Sequence, residues 1–270
     1  MRRLVVFALC LAAASAAWFW WPRTMAARPA PDTVAGAGGD ITIIPIAHAT
    51  LQIEQGGQVI LVDPTTNAAF AGVSGALRVN YGGLKPPTIV LVTDEHTDHY
   101  DRRLLRSLKT TAGAAPAIVG PAVVASHLEG AVSIANGEGK FVNGIRIDAV
   151  PMYNTIGQER YHAKGRGNGY VVSLGGKRIY IAGDTACTTE MRTLKDIDIA
   201  FLPMNLPYTM TPSDAAICAV AFKPKVAYAY HYRGQDANRF ASTLAGTGIE
   251  VRLRDWYAGA PAFVYRPKAY

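Results

Sequence analysis

From Ile41 onward, apolar and polar residues alternate in short runs. Ile41-Thr42-Ile43-Ile44 and Leu51-Gln52-Ile53 keep a period of two, and the run over 58–62 follows Gly56-Gly57. That period sends alternate side chains to opposite faces, so these segments predict antiparallel strands joined by tight turns. Residues 88–92 (Thr-Ile-Val-Leu-Val) follow Pro86-Pro87 and form a continuous apolar run, the pattern of a strand buried on both faces. Further strands are predicted over 145–150, 170–174, 178–182, 226–230, 250–253 and 263–265, with Gly175-Gly176 turning between two of them. Helical spacing covers 101–109, through Leu104, Leu105 and Leu108, and a second short helix is predicted over 121–128. Thr211-Pro212-Ser213-Asp214 is a helix start, with a capping hydroxyl, Pro at the first position and a carboxylate in the first turn. That helix is expected to carry Ala216, Ile217, Val220 and Ala221 inward. Mixed strands and helices of this kind predict an α/β chain with two sheets and its helices outside.

The N-terminal residues break the pattern. Arg2 and Arg3 precede an apolar run over 4–21, interrupted only by Ser15 and followed by Pro22-Arg23. A basic start, an apolar stretch and the small residues Ala14-Ser15-Ala16 predict a secretory signal. The run also reaches about 18 residues, enough to span a bilayer, and Trp18, Trp20 and Trp21 stand where an interfacial aromatic belt would. Signal peptide and membrane anchor over 1–27 remain alternatives. Both place the rest outside the cytoplasm, periplasmic or secreted, with tethering to the inner membrane in the second case. Cys10 falls too early for a lipoprotein cleavage site. Pro, Ala and Gly dominate 28–40, expected as a linker, and 41–270 is expected as one domain.

Composition narrows the function classes. Half of the 270 residues are hydrophobic and 17% are charged, which excludes a disordered chain. Three cysteines exclude a disulfide scaffold and a Cys-rich zinc array. The formal charge of +7 invites a nucleic-acid reading. However, residues 1–27 hold three Arg and no acid, so the remainder carries only +4 and shows no dense basic stripe. No specific nucleic-acid partner is expected.

The six histidines change the picture most. Asp94-Glu95-His96-Thr97-Asp98-His99 directly follows the buried run at 88–92. Donors two apart on an extended segment face the same way, so Asp94 and His96 can converge on one metal, and Asp98 and His99 can supply a second. His162, Asp184 (in Gly183-Asp184-Thr185) and His231 follow other predicted strands in the same manner. Imidazole and carboxylate at strand ends are donors for zinc and neighbouring divalent metals. His127 is expected on an outer helix, Cys218 in the core and Cys187 near the site edge, and sequence alone leaves open whether those cysteines pair.

Together, Asp94 to His99, His162, Gly183-Asp184-Thr185 and His231 resemble the metallo-β-lactamase superfamily, whose usual motif is His-x-His-x-Asp-His. Ala47-His48-Ala49 and Val62-Asp63-Pro64 are similar to elements of the branch containing ascorbate-phosphate lactonase and the phospholipase D acting on N-acyl phosphatidylethanolamine. The resemblance implies an αββα four-layer sandwich and a hydrolase that uses a metal-bound hydroxide on an ester, lactone or phosphoester. It implies two divalent metal ions, zinc first. His96 and His162 would hold one metal, with Asp94 in the place of the usual His. Asp98, His99 and His231 would hold the other, and Asp184 would bridge. Asp98 would also orient the nucleophile as the catalytic carboxylate. His48 and Asp63 are expected to support the ligands or form turns.

Asn154, Tyr232, Tyr153 and Tyr208 are substrate or packing candidates, and Lys164, Arg166 and Arg233 are candidates for meeting a phosphate. Because Asp94 is a harder, anionic donor, Mn or Fe become alternatives, and so do a single-metal site on Asp98, His99 and His231 or a degraded first site. The competing functions are a phospholipase-like hydrolase acting on a lipid substrate at the membrane and a non-catalytic metal-binding or interaction protein. The expected partner is otherwise a small-molecule ester or phosphoester.

Overall fold

The computed structural model describes residues 28–66, 79–155 and 157–258. Among these, the strands form two seven-stranded sheets. The first runs in chain order through β1 (Asp32–Val34), β2 (Ile41–Ala47), β3 (Thr50–Gln55), β4 (Gln58–Val62), β5 (Ile89–Leu91), β6 (Ala117–Gly120) and β7 (Val132–Ser133). The second holds β8 (Gly139–Val142), β9 (Ile145–Met152), β10 (Gly167–Leu174), β11 (Lys177–Ile181), β12 (Ile199–Pro203), β13 (Val226–Tyr230) and β14 (Glu250–Leu253). In each sheet the first four strands are antiparallel and the rest add on in parallel. The chain thus builds one topology twice, although its sequence carries no visible repeat.

Alternation along the strands sorts side chains into three apolar layers. Ile199, Phe201, Tyr228 and Tyr230 point between the sheets, while Ala200, Leu202, Ala227 and Ala229 point out toward helices. On β5, Ile89 and Leu91 face the inter-sheet layer, whereas Val90 and the following Val92 face outward; both faces are buried, as the apolar run requires. Helices α1 (Arg102–Ser107) and α2 (Ala122–Ala125) cover the first sheet, and α3 (Thr189–Arg192), α4 (Pro212–Phe222) and α5 (Ala237–Leu244) the second. The resulting order is helix, sheet, sheet, helix, an αββα sandwich. No helix among the described residues is long and apolar enough to cross a membrane.

Three expectations need correction or placement. Helix α4 is capped as predicted, with Thr211 and Asp214 closing a reciprocal capping box. Its buried face, however, is Ala215, Ala216, Cys218, Ala219 and Phe222; Ile217 is 60% and Val220 41% exposed. Phe222 packs edge-on against Tyr180 and Cys218 is disulfide-bonded to Cys187, so these anchors set the helix rotation and the alanines let it lie close to the sheet. Part of the expected linker is ordered: β1 pairs with β2, and Asp32 accepts from Tyr228 and Arg254 across the edges of the two sheets. The segments 1–27 and 263–265 lie outside the described residues.

Cross-linking positions 31 apart, the disulfide ties the loop after β11 to α4. Replacing both cysteines with Ala is expected to remove about 2–4 kcal/mol and lower the melting temperature by about 5–15 °C in calorimetry. Ile217→Ala, on the exposed face of the same helix, is expected to change stability by less than about 0.5 kcal/mol.

Candidate metal centre

Seven of the nine histidine and aspartate residues with a sequence-expected role at the centre sit just past strand ends: Asp63 after β4, Asp94, His96, Asp98 and His99 after β5, Asp184 after β11 and His231 after β13. His162 comes from the β9–β10 connection, and His48 from the β2–β3 turn. The parallel strands bring these ends to one edge, where sheets of this kind gather ligands. The turns are sharp. His48, Asp63 and His231 adopt left-handed backbone with φ of 55°, 44° and 47°. Each is pinned by a backbone hydrogen bond, from His48 N to Trp256 O, Asp63 N to Leu91 O and His231 N to His48 O. Gly183, also left-handed, lies where a Cβ would come within 2.5 Å of Met152 Sδ, so only glycine admits the turn that delivers Asp184.

The delivered side chains form two donor groups. In the first, Asp94, His96 and His162 each place a ligand atom within 4.8 Å of the others. His48, Asp98, His99 and His231 make the second. Asp184 lies between them: its Oδ1 is 3.1 Å from His231 Nε2 and 3.3 Å from His99 Nε2, while its Oδ2 is 3.4 Å from His162 Nε2. One carboxylate therefore addresses both groups with different oxygens. Asp94 Oδ2 stands 2.6 Å from His96 Nδ1 and 3.4 Å from His162 Nε2, and its Oδ1 accepts the Glu95 N–H.

Behind the donors lies a layer of hydrogen bonds. Asp63 Oδ2 is 2.8 Å from His99 Nδ1 and is itself held by the backbone N–H and hydroxyl of Thr93. Asn154 Oδ1 takes the proton of His162 Nδ1 at 2.5 Å, and its amide donates to Tyr208 O. Both arrangements leave the Nε2 atoms aimed into the site, the usual way a second partner fixes a metal-ligating imidazole. Tyr257, which sequence reasoning missed, bonds His48 Nδ1 at 2.7 Å. It follows β14, but no donor motif accompanies it there. Thr93 and Arg160 were also missed.

Electrostatics prepares the donors for a cation. Burial pushes Asp184 toward protonation, but His231, His99 and His162 outweigh it and hold the carboxyl well below the usual carboxylate range. For Asp98 burial is likewise overcome, chiefly by His99, His231 and His48. Burial lowers His162, and burial with the neighbouring His231 lowers His48 to about 3. Anionic carboxylates and neutral imidazoles are the forms that bind metal. His99 goes the other way: burial lowers it, yet Asp184, Asp63 and Asp98 raise it well above its ordinary value.

The fit to metal ions rests on unmet polar atoms. His99 Nε2, His231 Nε2 and Asp184 Oδ1 are buried, face one another and have no hydrogen-bond partner among the described residues. A divalent cation satisfies all three at once; a hydrogen-bonded core would not leave them aimed together.

A cavity of about 670 Å³ opens over both groups, lined by His48, His96, Asp98, His162, Asp184 and His231, and by Arg160, Arg233, Tyr161 and Tyr208. Tyr232 does not line it; its hydroxyl donates to Arg254 O and its ring packs on Tyr257, so it is a packing residue. Tyr153 donates to Glu190, Lys164 pairs with the same carboxylate, and Arg166 pairs with Glu95. His127 is exposed past the end of α2.

Known proteins resemble this chain in sequence and fold. A family profile described as "Beta-lactamase superfamily domain" matches residues 42–231, a span that contains every donor named above. A UPF0173 metal-dependent hydrolase of Symbiobacterium thermophilum is 31% identical over 217 residues, covering 75% of this chain and 91% of its own. A crystal structure from Parabacteroides distasonis, named for an inferred metal-dependent hydrolase, has 35% identity and a TM-score of 0.75, covering 84% of this chain and 99% of that one. Igni18, a metallo hydrolase of Ignicoccus hospitalis, shares the fold at 20% identity with a TM-score of 0.63, covering 79% of this chain and 94% of its own. The strand-end donors, the αββα sandwich that presents them and these likenesses agree, and the chain belongs to the metallo-β-lactamase superfamily.

Proposed function

We propose that the protein is a metal-dependent hydrolase with two divalent ions, acting on a small ester, lactone or phosphoester that carries an anionic group. The observation that carries the reading is Asp184, whose two oxygens face separate donor groups. Asp94, His96 and His162 would hold one ion, Asp98, His99 and His231 the other, and Asp184 would bridge. Bound there, the ions supply an activated water, with a pKa lowered to about 7, and stabilisation of the developing oxyanion.

The chain's own groups do the rest. Asp63 and Asn154 orient His99 and His162 through their Nδ1 atoms. Asp98, one carboxylate lining the cavity, is placed to accept the proton of the attacking water. Arg160 and Arg233 line the same cavity and favour an anionic substrate. Arg160 stacks over the Tyr161 ring at 4.8 Å and donates to its hydroxyl, which props the guanidinium at the mouth. The disulfide and the apolar run over 4–21 both support a place outside the cytoplasm, because such bonds persist in oxidising compartments.

Asp184→Ala and His99→Ala are expected to abolish turnover and to lower the metal content of the repleted protein, measured by elemental analysis. Full activity in either variant, or no metal uptake by the parent, overturns the assignment. Asp63→Asn is expected to weaken metal binding about 10- to 100-fold in competition titrations. With metal-loaded enzyme, Arg233→Gln is expected to raise KM for bis-p-nitrophenyl phosphate about 10-fold or more while leaving KM for the neutral p-nitrophenyl acetate unchanged. Equal effects on both substrates would remove the anionic preference.

A further inference from the structure

We infer that Tyr257 and His48 form a positioning pair that fixes the carboxylate of Asp98, and that His48 is not a metal ligand although it stands among the donors of the second group. The inference rests on the metal centre proposed above and adds the direction of its hydrogen bonds.

Three contacts determine that direction. The Tyr257 hydroxyl oxygen accepts the backbone N–H of Arg233 at 2.9 Å. The same oxygen lies 2.7 Å from His48 Nδ1. His48 Nε2 lies 3.2 Å from Asp98 Oδ2. A carboxylate oxygen facing a ring nitrogen at 3.2 Å accepts, and a lone pair on Nε2 facing it would be repelled. Nε2 must therefore carry the proton. A neutral imidazole then has its lone pair on Nδ1, which accepts the Tyr257 O–H. This is the one neutral tautomer in which both ring contacts are hydrogen bonds. The phenol, buried and raised well above its ordinary value, keeps the proton it donates.

The geometry gives the pair a rigid seat. His48 is 1% exposed, its ring centroid lies 3.7 Å from that of His231 at an interplanar tilt of 37°, and the two are tied through the backbone, His231 N donating to His48 O. The Nε2–H bond fixes how the Asp98 carboxylate is rotated, while that carboxylate remains partly open to the cavity. An Nε2 that donates a proton has no lone pair to offer a metal, which separates His48 from His99 and His231, whose Nε2 atoms have no hydrogen-bond partner among the described residues. His48 and Tyr257 thus act through Asp98, from segments 209 positions apart in the chain: a β2–β3 turn and the segment after β14.

The test uses full-length protein with cobalt or zinc. Nitrogen chemical shifts of His48 in the zinc-loaded protein are expected to report the Nε2–H tautomer, with or without a known substrate; the Nδ1–H tautomer or a metal-coordinated nitrogen overturns the inference. Tyr257→Phe and His48→Ala are expected to lower kcat about 10- to 100-fold, with KM within about threefold and with metal stoichiometry unchanged. His48→Gln, whose amide N–H replaces the donor, is expected to recover most of the loss. A lost metal equivalent in His48→Gln makes His48 a ligand and overturns the pair. Unchanged kcat in Tyr257→Phe, a substitution that keeps the ring and its packing, also overturns it. Failure of the hydrolase reading is separate: the parent enzyme would turn over no substrate, while the tautomer would still be read.

Discussion

A buried anion shared by three imidazoles sets the terms for this fold. The Asp184 side chain is 5% exposed, and moving a carboxylate out of water costs several kcal/mol after relaxation unless opposite charge or hydrogen bonds replace the lost solvent. Here the replacement is three ring nitrogens at 3.1–3.4 Å, two of which have no hydrogen-bond partner among the described residues. Imidazoles cannot neutralise that anion while remaining neutral themselves. The cluster closes electrostatically only around positive charge, which a protonated His99 or a bound cation supplies.

Meeting on one carboxylate requires donors from both halves of the sandwich. His96 and His99 come from the first sheet, Asp184 and His231 from the second, and His162 from the connection between β9 and β10. The duplicated topology makes this workable, since the parallel portion of each sheet delivers strand ends to the same edge. It also concentrates strain there. Left-handed backbone at a residue with a side chain costs about 1–3 kcal/mol, and His48, Asp63 and His231 all adopt it. Each is fixed from another element, His48 by Trp256, Asp63 by Leu91 and His231 by His48, so the surrounding packing enforces what local propensity opposes.

Much of this was legible in the chain. The both-faces-buried strand at 88–92 and the Asp94–His99 cluster after it identify the site edge because side-chain period and donor chemistry are local properties. Partners that act through long-range hydrogen bonds left no such mark. Tyr257 reaches His48 across 209 positions, and no spacing rule connects them. Tyr232 misled for the opposite reason: adjacency to His231 placed it near the site in sequence, while the left-handed turn at His231 directs it to Arg254 and the core. In α4 the larger side chains were expected inside, yet a disulfide and one aromatic contact set the rotation. The cysteine pairing was not readable, because it depends on how a loop and a helix dock.

Asp94 matters beyond its place in the motif. Where the usual pattern has a neutral imidazole, this chain puts a carboxylate that gives one oxygen to the Glu95 N–H and turns the other toward His96 and His162. With Asp98 and Asp184 the donors then include three carboxylates, so two divalent ions exceed them by a single elementary charge. The loaded centre would be less electrophilic than one with imidazole at this position, and its first ion would have an oxygen-rich environment suited to harder cations. A less positive centre also gains more from cationic groups beside it when an anion must approach. Arg160 and Arg233 line that approach. In the proposed two-ion hydrolase the aspartate and the two arginines would be coupled: the first would reduce the attraction of the metals for an anionic substrate, and the arginines would return it where the substrate's own charge would sit.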